Sequence, residues 1–135
     1  MDAVAPYAAP TFSGLDLAGV RHAALCADVR VLSLDLCADA GGGGDIDAAG
    51  GLGAAAVTTV PATAGGVADG VAFWFVQHMH GGAGGALDTG PGTPSTCWRQ
   101  AATVLRPLAV RAGQRLRLTA SARGSHVSIA LEVLQ

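Results

Sequence analysis

Two segments near the carboxyl end of the chain alternate apolar and polar residues over almost their whole length. Every second residue is Leu or Ala in RLRLTASA (115–122), and Val, Ile or Leu in HVSIALEVL (126–134). Successive side chains of a strand point to opposite faces, so a period of two is typical of a half-buried strand. The sequence therefore predicts two strands here, joined by a turn at RGS (123–125).

Four other segments also predict strands. In chain order they are VRVLSLDL (29–36), VTTVPAT (57–63), VAFWFVQHM (71–79) and RQAATVL (99–105). The third is apolar on both faces, which predicts a central strand. Pro61 predicts an edge position for the second, and Pro107 predicts a break after the fourth. Ala112-Gly113 predicts a turn.

The remaining segments complete an all-β fold, an antiparallel β-barrel or sandwich with one short N-terminal helix and a Gly-rich loop. Helical spacing of apolar residues after a possible cap at Ser13 predicts the helix, over 13–28. The Gly/Ala-rich segment 40–56 predicts a flexible loop. Residues 1–12 predict a loosely ordered N-terminus, which leaves 13–135 as a single domain.

Composition narrows the compartment and the partners. The chain has 135 residues, a net charge of −2 and three cysteines, Cys26, Cys37 and Cys97. An odd number of cysteines without a C-x-x-C spacing disfavours a disulfide framework. The N-terminus does not resemble a secretory signal, and no run is apolar over the ~18–20 residues of a membrane helix. We expect a cytoplasmic or nuclear protein that binds neither nucleic acid nor membrane.

One Gly-rich segment resembles a nucleotide-binding loop at first sight. In ALDTGPGTP (86–94), Asp88, Gly90 and Gly92 fit the acid-x-Gly-x-Gly pattern, in which glycines let the backbone approach a ligand. However, Pro94 stands where the third Gly belongs, and no strand-loop-helix pattern surrounds the segment. We interpret it as a loop between two strands.

A second candidate is a metal site at HMH (78–80). Residues i and i+2 of a strand face the same side, so His78 and His80 could hold one metal ion, with Cys97 or His126 as a third ligand. The alternative is that the histidines end a strand at a polar rim.

The third candidate is Trp98, in the probable loop GPGTPSTCWRQ (90–100). A buried indole needs a hydrogen-bond partner, and an exposed indole is costly unless something covers it. Trp98 is therefore either a plug at the end of a barrel or part of a binding site.

The order of segments from residue 71 resembles the C-terminal β-barrel of the protein arginine N-methyltransferases. An aromatic strand, DTGPGTPSTCWRQ, a Leu-containing strand, a Gly turn and two final strands follow in sequence. The residues that match the family's motif are Pro91, Pro94, Thr96, Trp98 and Gln100. FSGLDLAGVR (12–21) is similar to the family's dimerisation arm, which implies a possible homodimer.

The resemblance implies that Thr96, Cys97 and Trp98 form a loop that shapes the pocket for a substrate arginine. Trp98 would be a wall for the guanidinium, and Cys97 replaces the family's histidine. The family's chemistry also needs an S-adenosylmethionine-binding Rossmann half and two glutamates, whereas this chain contains one, Glu132. We therefore expect a substrate-binding module, a fragment or a stand-alone domain. Alone, it would bind no cofactor and be inactive.

The partners implied are a catalytic Rossmann domain and an arginine-containing protein substrate, with S-adenosylmethionine bound only by the intact enzyme. Two other functions stay open. One is a metal-binding β-module that uses His78 and His80. The other is a non-catalytic barrel that binds a protein partner through an exposed apolar surface.

Overall fold

A computed structural model describes residues 11–35, 52–78, 85–93, 97–124 and 126–135. Almost all regular secondary structure in these ranges is β-strand, which confirms the all-β prediction. The strands are β1 (Thr11–Leu15), β2 (Leu52–Pro61), β3 (Gly66–Phe73), β4 (Val76–His78), β5 (Ala86–Asp88), β6 (Gln100–Val110), β7 (Arg115–Gly124) and β8 (His126–Leu134). One 3-10 helix covers Leu17–Gly19.

The described strands form three sheets. Their strand orders are β1-β6-β3, β2-β7-β8 and β4-β5. The β1–β6, β2–β7, β4–β5 and β7–β8 pairs are antiparallel. Within the described ranges none of the sheets closes into a barrel. The antiparallel architecture is therefore established, and the barrel or sandwich arrangement stays a prediction.

Strand β7 is the centre of the β2-β7-β8 sheet. It pairs with all ten residues of β2 and with all nine of β8. Its even-numbered side chains from Leu116 to Ala122 are buried, and Arg115, Arg117 and Arg123 are exposed. In β8, Ile129 is buried and the positions two away on either side are half-buried. The alternation predicted for both strands is confirmed, because one face of the sheet is buried and the other is exposed.

A small buried cluster covers that inner face of the sheet near the β6–β7 turn. Its members are Ala62, Ala68, Val110 and Leu116, with the half-buried Leu25 and Cys26 packed against them. Leu25 lies outside any strand, and its carbonyl accepts a hydrogen bond of 2.8 Å from the Thr63 backbone. Burial, with a smaller effect from the Asp28 carboxylate, raises the pKa of the Cys26 thiol.

Two compact units divide the described residues. One consists of those within Met1–Ala23 and Asp69–Pro107, and the other of those within Ala24–Ala68 and Leu108–Gln135. The small core cluster belongs to the second unit. The loop with Trp98 belongs to the first.

The helix predicted over 13–28 is wrong. Thr11–Leu15 is strand β1, Leu17–Gly19 is a 3-10 helix, and residues 21–35 contain no helix or strand. Leu15 pairs with Gln100 of β6, and Gly14 has the left-handed φ of 79°, which an α-helix does not contain. Pairing with a distant strand thus outweighs a short stretch of helical spacing. Thr11 and Phe12, predicted as loosely ordered, belong to β1, and residues 1–10 lie outside the described ranges.

Three other predictions also need correction. Residues 29–35 form no strand, since no described strand pairs with them, and Leu36 lies outside the described ranges. Of the loop predicted over 40–56, residues 52–56 belong to β2 and pair with β7. The remainder, 40–51, lies outside the described ranges. Pro107 does not end β6, which continues to Val110; the described pairs with β1 reach only Thr103.

The aromatic segment 71–79 is two strands rather than one. β3 ends at Phe73, β4 begins at Val76, and Trp74-Phe75 lies between them. Among the described strands β3 is also the last in the order β1-β6-β3, which does not agree with the central position predicted for this segment. By contrast, the edge position predicted for the segment with Pro61 is confirmed among the described strands, because β2 has one neighbour, β7. The turn predicted at Ala112-Gly113 is also confirmed, with φ 85° at Gly113.

Candidate functional site

The backbone of Phe75 is held by Thr89, directly beyond the β4–β5 pair. Val76 pairs with Asp88, so Phe75 and Thr89 face each other at the next position of the ladder. The Thr89 hydroxyl donates to the Phe75 carbonyl at 2.8 Å and accepts from the Phe75 N–H at 3.2 Å. The Thr89 N–H donates to the same carbonyl at 3.1 Å. Thr89 is fully buried, so these bonds fix the backbone of Phe75 in the two-residue gap between β3 and β4.

Gln100 joins this strand pair to the N-terminal segment. Its side-chain oxygen accepts from the Leu17 N–H at 2.9 Å, and its amide nitrogen donates to the Thr89 carbonyl at 2.8 Å. Gln100 is 5% exposed and its bond to Thr89 is buried, so water cannot freely replace that bond, whereas the bond to Leu17 is only partly buried. One side chain thus connects the 3-10 helix, the end of β5 and the start of β6.

Trp98 lies two residues before Gln100 and is half-exposed. Its ring meets the edge of the Phe75 ring at a centroid distance of 5.3 Å and an interplanar angle of 78°. Edge-to-face pairs of this kind contribute about 0.5–1.5 kcal/mol beyond area burial. With 53% of Trp98 and 42% of Phe75 exposed, the pair is presented at the surface. The interpretation of Trp98 as a core plug does not agree with this exposure.

An ion pair flanks the aromatic pair. The Arg99 guanidinium lies 3.1 Å from an Asp16 carboxylate oxygen, and both side chains are more than half exposed. Such a pair is worth about 0.2–1 kcal/mol because water screens it. Asp16 directly precedes the 3-10 helix that Gln100 holds, so the same segment supplies both the fixed backbone and the surface carboxylate.

The Gly-rich segment after β5 makes a tight turn. The Asp88 carboxylate accepts from the Gly90 N–H at 2.7 Å, a local Asx-type contact. A Cβ at Gly90 would lie 2.8 Å from Trp74 Nε1, closer than real side chains approach, so glycine is required by the indole. In the described residues that follow, the next element is strand β6 and not a helix. The arrangement agrees with our interpretation of ALDTGPGTP as a loop rather than a cofactor cradle.

The structure places the predicted site residues as follows. Cys97 and Trp98 are exposed, and Thr96 lies outside the described ranges. His78 ends β4 and is exposed, and His80 lies outside the described ranges. Among the residues that the structure describes, no group of three His, Cys, Asp or Glu is arranged to hold a metal ion.

Phe75, Thr89 and Asp16 were not singled out from the sequence. The aromatic run FWF marks Phe75 as a candidate, but the sequence does not show which of its three rings faces solvent. Thr89 has no sequence signal, because its role depends on register. Gln100 was noted only through the family motif, and its contact with Leu17 spans 83 positions.

Comparisons with protein families, with curated proteins and with solved structures found no match to this chain. In the described part of the chain, none of the helices has the length and hydropathy needed to cross a bilayer.

Proposed function

We propose that this chain is a substrate-binding and domain-docking β-module of the kind found in protein arginine N-methyltransferases. The observation that carries the proposal is the presentation of Trp98. The residue of the Thr-Cys-Trp motif expected to touch substrate is half-exposed, while Gln100, two positions away in the same motif, is buried and anchors the loop. An exposed aromatic side chain on an anchored loop is suited to binding.

The chemistry available at Trp98 is cation–π recognition. The Phe75 ring contacts the Trp98 indole in an edge-to-face geometry. This contact takes up one side of the indole and restrains the orientation of the indole ring. A guanidinium over an indole face gains about 0.5–1 kcal/mol at an exposed site and more where water is excluded. We therefore infer that this module alone holds an arginine side chain weakly, and that a second domain must cover the site for tight binding.

Methyl transfer is assigned to a catalytic domain that these residues do not provide. The sequence has a single glutamate, and Glu132 is paired with Arg117 at 3.0 Å on β8. Two glutamates that grip a guanidinium through bidentate hydrogen bonds cannot come from this chain. In this proposal S-adenosylmethionine is bound by the catalytic domain. Cys97, in place of the family's histidine, removes a group that could pair with an acidic residue of that domain.

The test is titration of the chain with an arginine-containing peptide and with the same peptide carrying lysine. We expect weak binding of the arginine peptide, measured by NMR chemical-shift changes, and about a two- to fivefold loss of affinity for Trp98→Leu. The matched control is Val57→Thr, which removes an exposed apolar group from β2 and should change nothing. Equal binding of both variants would overturn the role of Trp98.

A second titration addresses the cofactor. We expect calorimetry with S-adenosylmethionine to show no heat of binding to this chain, because no residue set in it resembles a Rossmann site. A micromolar site would overturn the proposed division of labour between two domains.

The partner-binding alternative has one supporting observation. Val76 and Leu87 of the β4–β5 pair are exposed, as is Phe75 beside them. Phe75 contacts Trp98, and Leu87, opposite Gln77, belongs to the same face of the β4–β5 ladder as Phe75, so a domain docked on this face would cover them. The metal-binding alternative at His78 and His80, and a homodimer through residues 13–28, stay predictions.

A further inference from the structure

Charge is unevenly distributed along the chain. Residues 91–135 contain six of the eight arginines and one acidic residue, Glu132, whereas residues 1–90 contain two arginines and nine aspartates. A chain with a net charge of −2 therefore has a carboxyl-terminal part of net charge +5. The strand register determines whether the arginine side chains in the sheet lie on one face or on both.

The register brings three of them to one face. In β7, Arg115, Arg117 and Arg123 are all odd-numbered and exposed, opposite the buried even-numbered positions. Thr119 and Ser121 lie between them on the same side. We call this exposed side of the β2-β7-β8 sheet the arginine face.

The arginine face has few groups that neutralise it. Arg117 is paired with Glu132 at 3.0 Å. Arg115 lies between Pro61 and Leu134, and Arg123 between Gly53 and His126, so neither has an acidic cross-strand neighbour. No hydrogen bond or ion pair joins the Arg115 or Arg123 guanidinium to any residue in the described ranges.

The positive charge continues beyond the sheet at one end. The turn between β6 and β7 forms an open concavity of about 490 Å³, lined by Arg111, Gln114 and Arg115 among others. The Gln114 side chain accepts from the Arg111 backbone at 2.7 Å and so fixes the turn. Arg111 and Arg115 thus stand on either side of one depression next to the arginine face.

We propose that the arginine face binds an acidic, extended polypeptide segment of a partner protein. Charge complementarity is one reason, since guanidinium groups bind carboxylates in a bidentate manner. Spacing is the other. Arg115 and Arg117 are two residues apart on a strand, about 6.6–6.8 Å, which is the repeat of alternate side chains in an extended segment. Arg123, eight residues along, would contact the far end of the same segment.

Nucleic acid fits this surface less well. Proteins that bind single strands without sequence preference stack bases on aromatic side chains. None of the described residues on the arginine face is aromatic; the positions beside the arginines are Gly, Ala, Val, Thr, Pro, Ser, His, Glu and Leu.

The test uses the full chain and a fluorescein-labelled peptide of alternating Glu and Ser, followed by fluorescence anisotropy. We expect binding that weakens about tenfold in the double variant Arg115→Ser/Arg123→Ser, in line with two exposed ion pairs lost. The matched control, Arg21→Ser/Arg30→Ser, makes the same change of charge at two exposed residues that belong to no strand and should have little effect. Glu132→Gln should strengthen binding, because it releases Arg117 and removes the one carboxylate of the face.

Three outcomes would overturn the proposal. The first is no binding of the Glu/Ser peptide, or equal binding of a Gln/Ser peptide. The second is an equal loss in both double variants, which would indicate general charge attraction. The third is tighter binding of an oligothymidylate that the Arg115/Arg123 variant loses, which would make the face a nucleic-acid surface. Circular dichroism of each variant should match the unmodified chain, and thermal melts verify that a loss of binding is not a loss of fold.

Discussion

Replacement of Gln100 tests the anchoring of the Trp98 loop most directly. Gln100→Leu keeps a side chain of similar length but removes both the acceptor for Leu17 and the donor to Thr89. The Thr89 carbonyl belongs to a fully buried residue, so the loss of its partner should cost about 1–3 kcal/mol. The Leu17 N–H is only partly buried and can reach water, so its loss should cost about 0.5–1.5 kcal/mol.

Together these losses predict a free energy of unfolding about 1.5–4.5 kcal/mol lower than that of the unmodified chain. Urea denaturation measures it. With a slope of about 2 kcal/mol per molar, the midpoint should fall by roughly 1–2 M. Gln100→Glu should be at least as destabilising as Gln100→Leu, because it buries a carboxylate whose oxygen faces the Thr89 carbonyl oxygen and cannot donate to it. Acrylamide quenching should show Trp98 becoming more exposed in both variants.

Gln77→Leu is the matched control, since Gln77 is exposed on β4. It should change the free energy of unfolding by no more than about 0.5 kcal/mol. If Gln100→Leu were as mild as this control, the side chain would not be an anchor. If Gln100→Glu were as stable as the unmodified chain, the bond to Thr89 would be dispensable.

Three further substitutions test neighbouring features. Thr89→Val should lower the free energy of unfolding by about 1–2 kcal/mol in urea denaturation, whereas Thr89→Ser should keep most of it, because the hydroxyl is the acceptor for the Phe75 N–H. Equal effects of the two variants would contradict this. Gly90→Ala should lower the free energy of unfolding by about 1–3 kcal/mol, because the added Cβ would meet the Trp74 indole. Gly53→Ala is the control, since a Cβ there meets open space, and it should not lower the free energy of unfolding in this way. Similar thermal melts for both variants would refute the close approach at Gly90. Burial raises the pKa of the Cys26 thiol, so iodoacetamide should label Cys26 more slowly than an exposed thiol. The free energy of unfolding should also fall as pH rises above the usual thiol range, because the Cys26 thiol ionises at lower pH in the unfolded chain than in the folded chain. A Cys26→Ser variant that kept the same alkaline loss of stability would contradict the last of these.

Strands β7 and β8 could be predicted from the sequence because their burial follows a local period. Leu116, Leu118 and Ile129 are buried where the alternation places them, since a half-buried sheet selects apolar residues at every second position. Residues 29–35 alternate as well, yet they form no strand, because alternation indicates a two-sided environment and does not supply a pairing partner.

The site could be predicted only in part. The motif drew attention to Trp98 and Cys97, and both lie at the surface. The residues that hold the loop were not predicted, because Thr89 and Phe75 meet through strand register and Gln100 meets Leu17 across a long sequence separation. Helical spacing in 13–28 failed for the same reason: the N-terminal segment follows its distant partner β6 rather than its own local preference.

The long separation between Leu17 and Gln100 has a consequence for how the molecule folds. The β7–β8 hairpin closes a short loop, whereas the hydrogen bond between Leu17 and Gln100 closes a loop of 83 positions. Closing the longer loop costs more conformational entropy, and this cost precedes the contacts that stabilise the closed loop. We expect the hairpin to form early and the Trp98 loop to be ordered last. Gln100 variants should then leave the refolding rate nearly unchanged and speed up unfolding, so the Trp98 loop would also be the part of the molecule that opens most often.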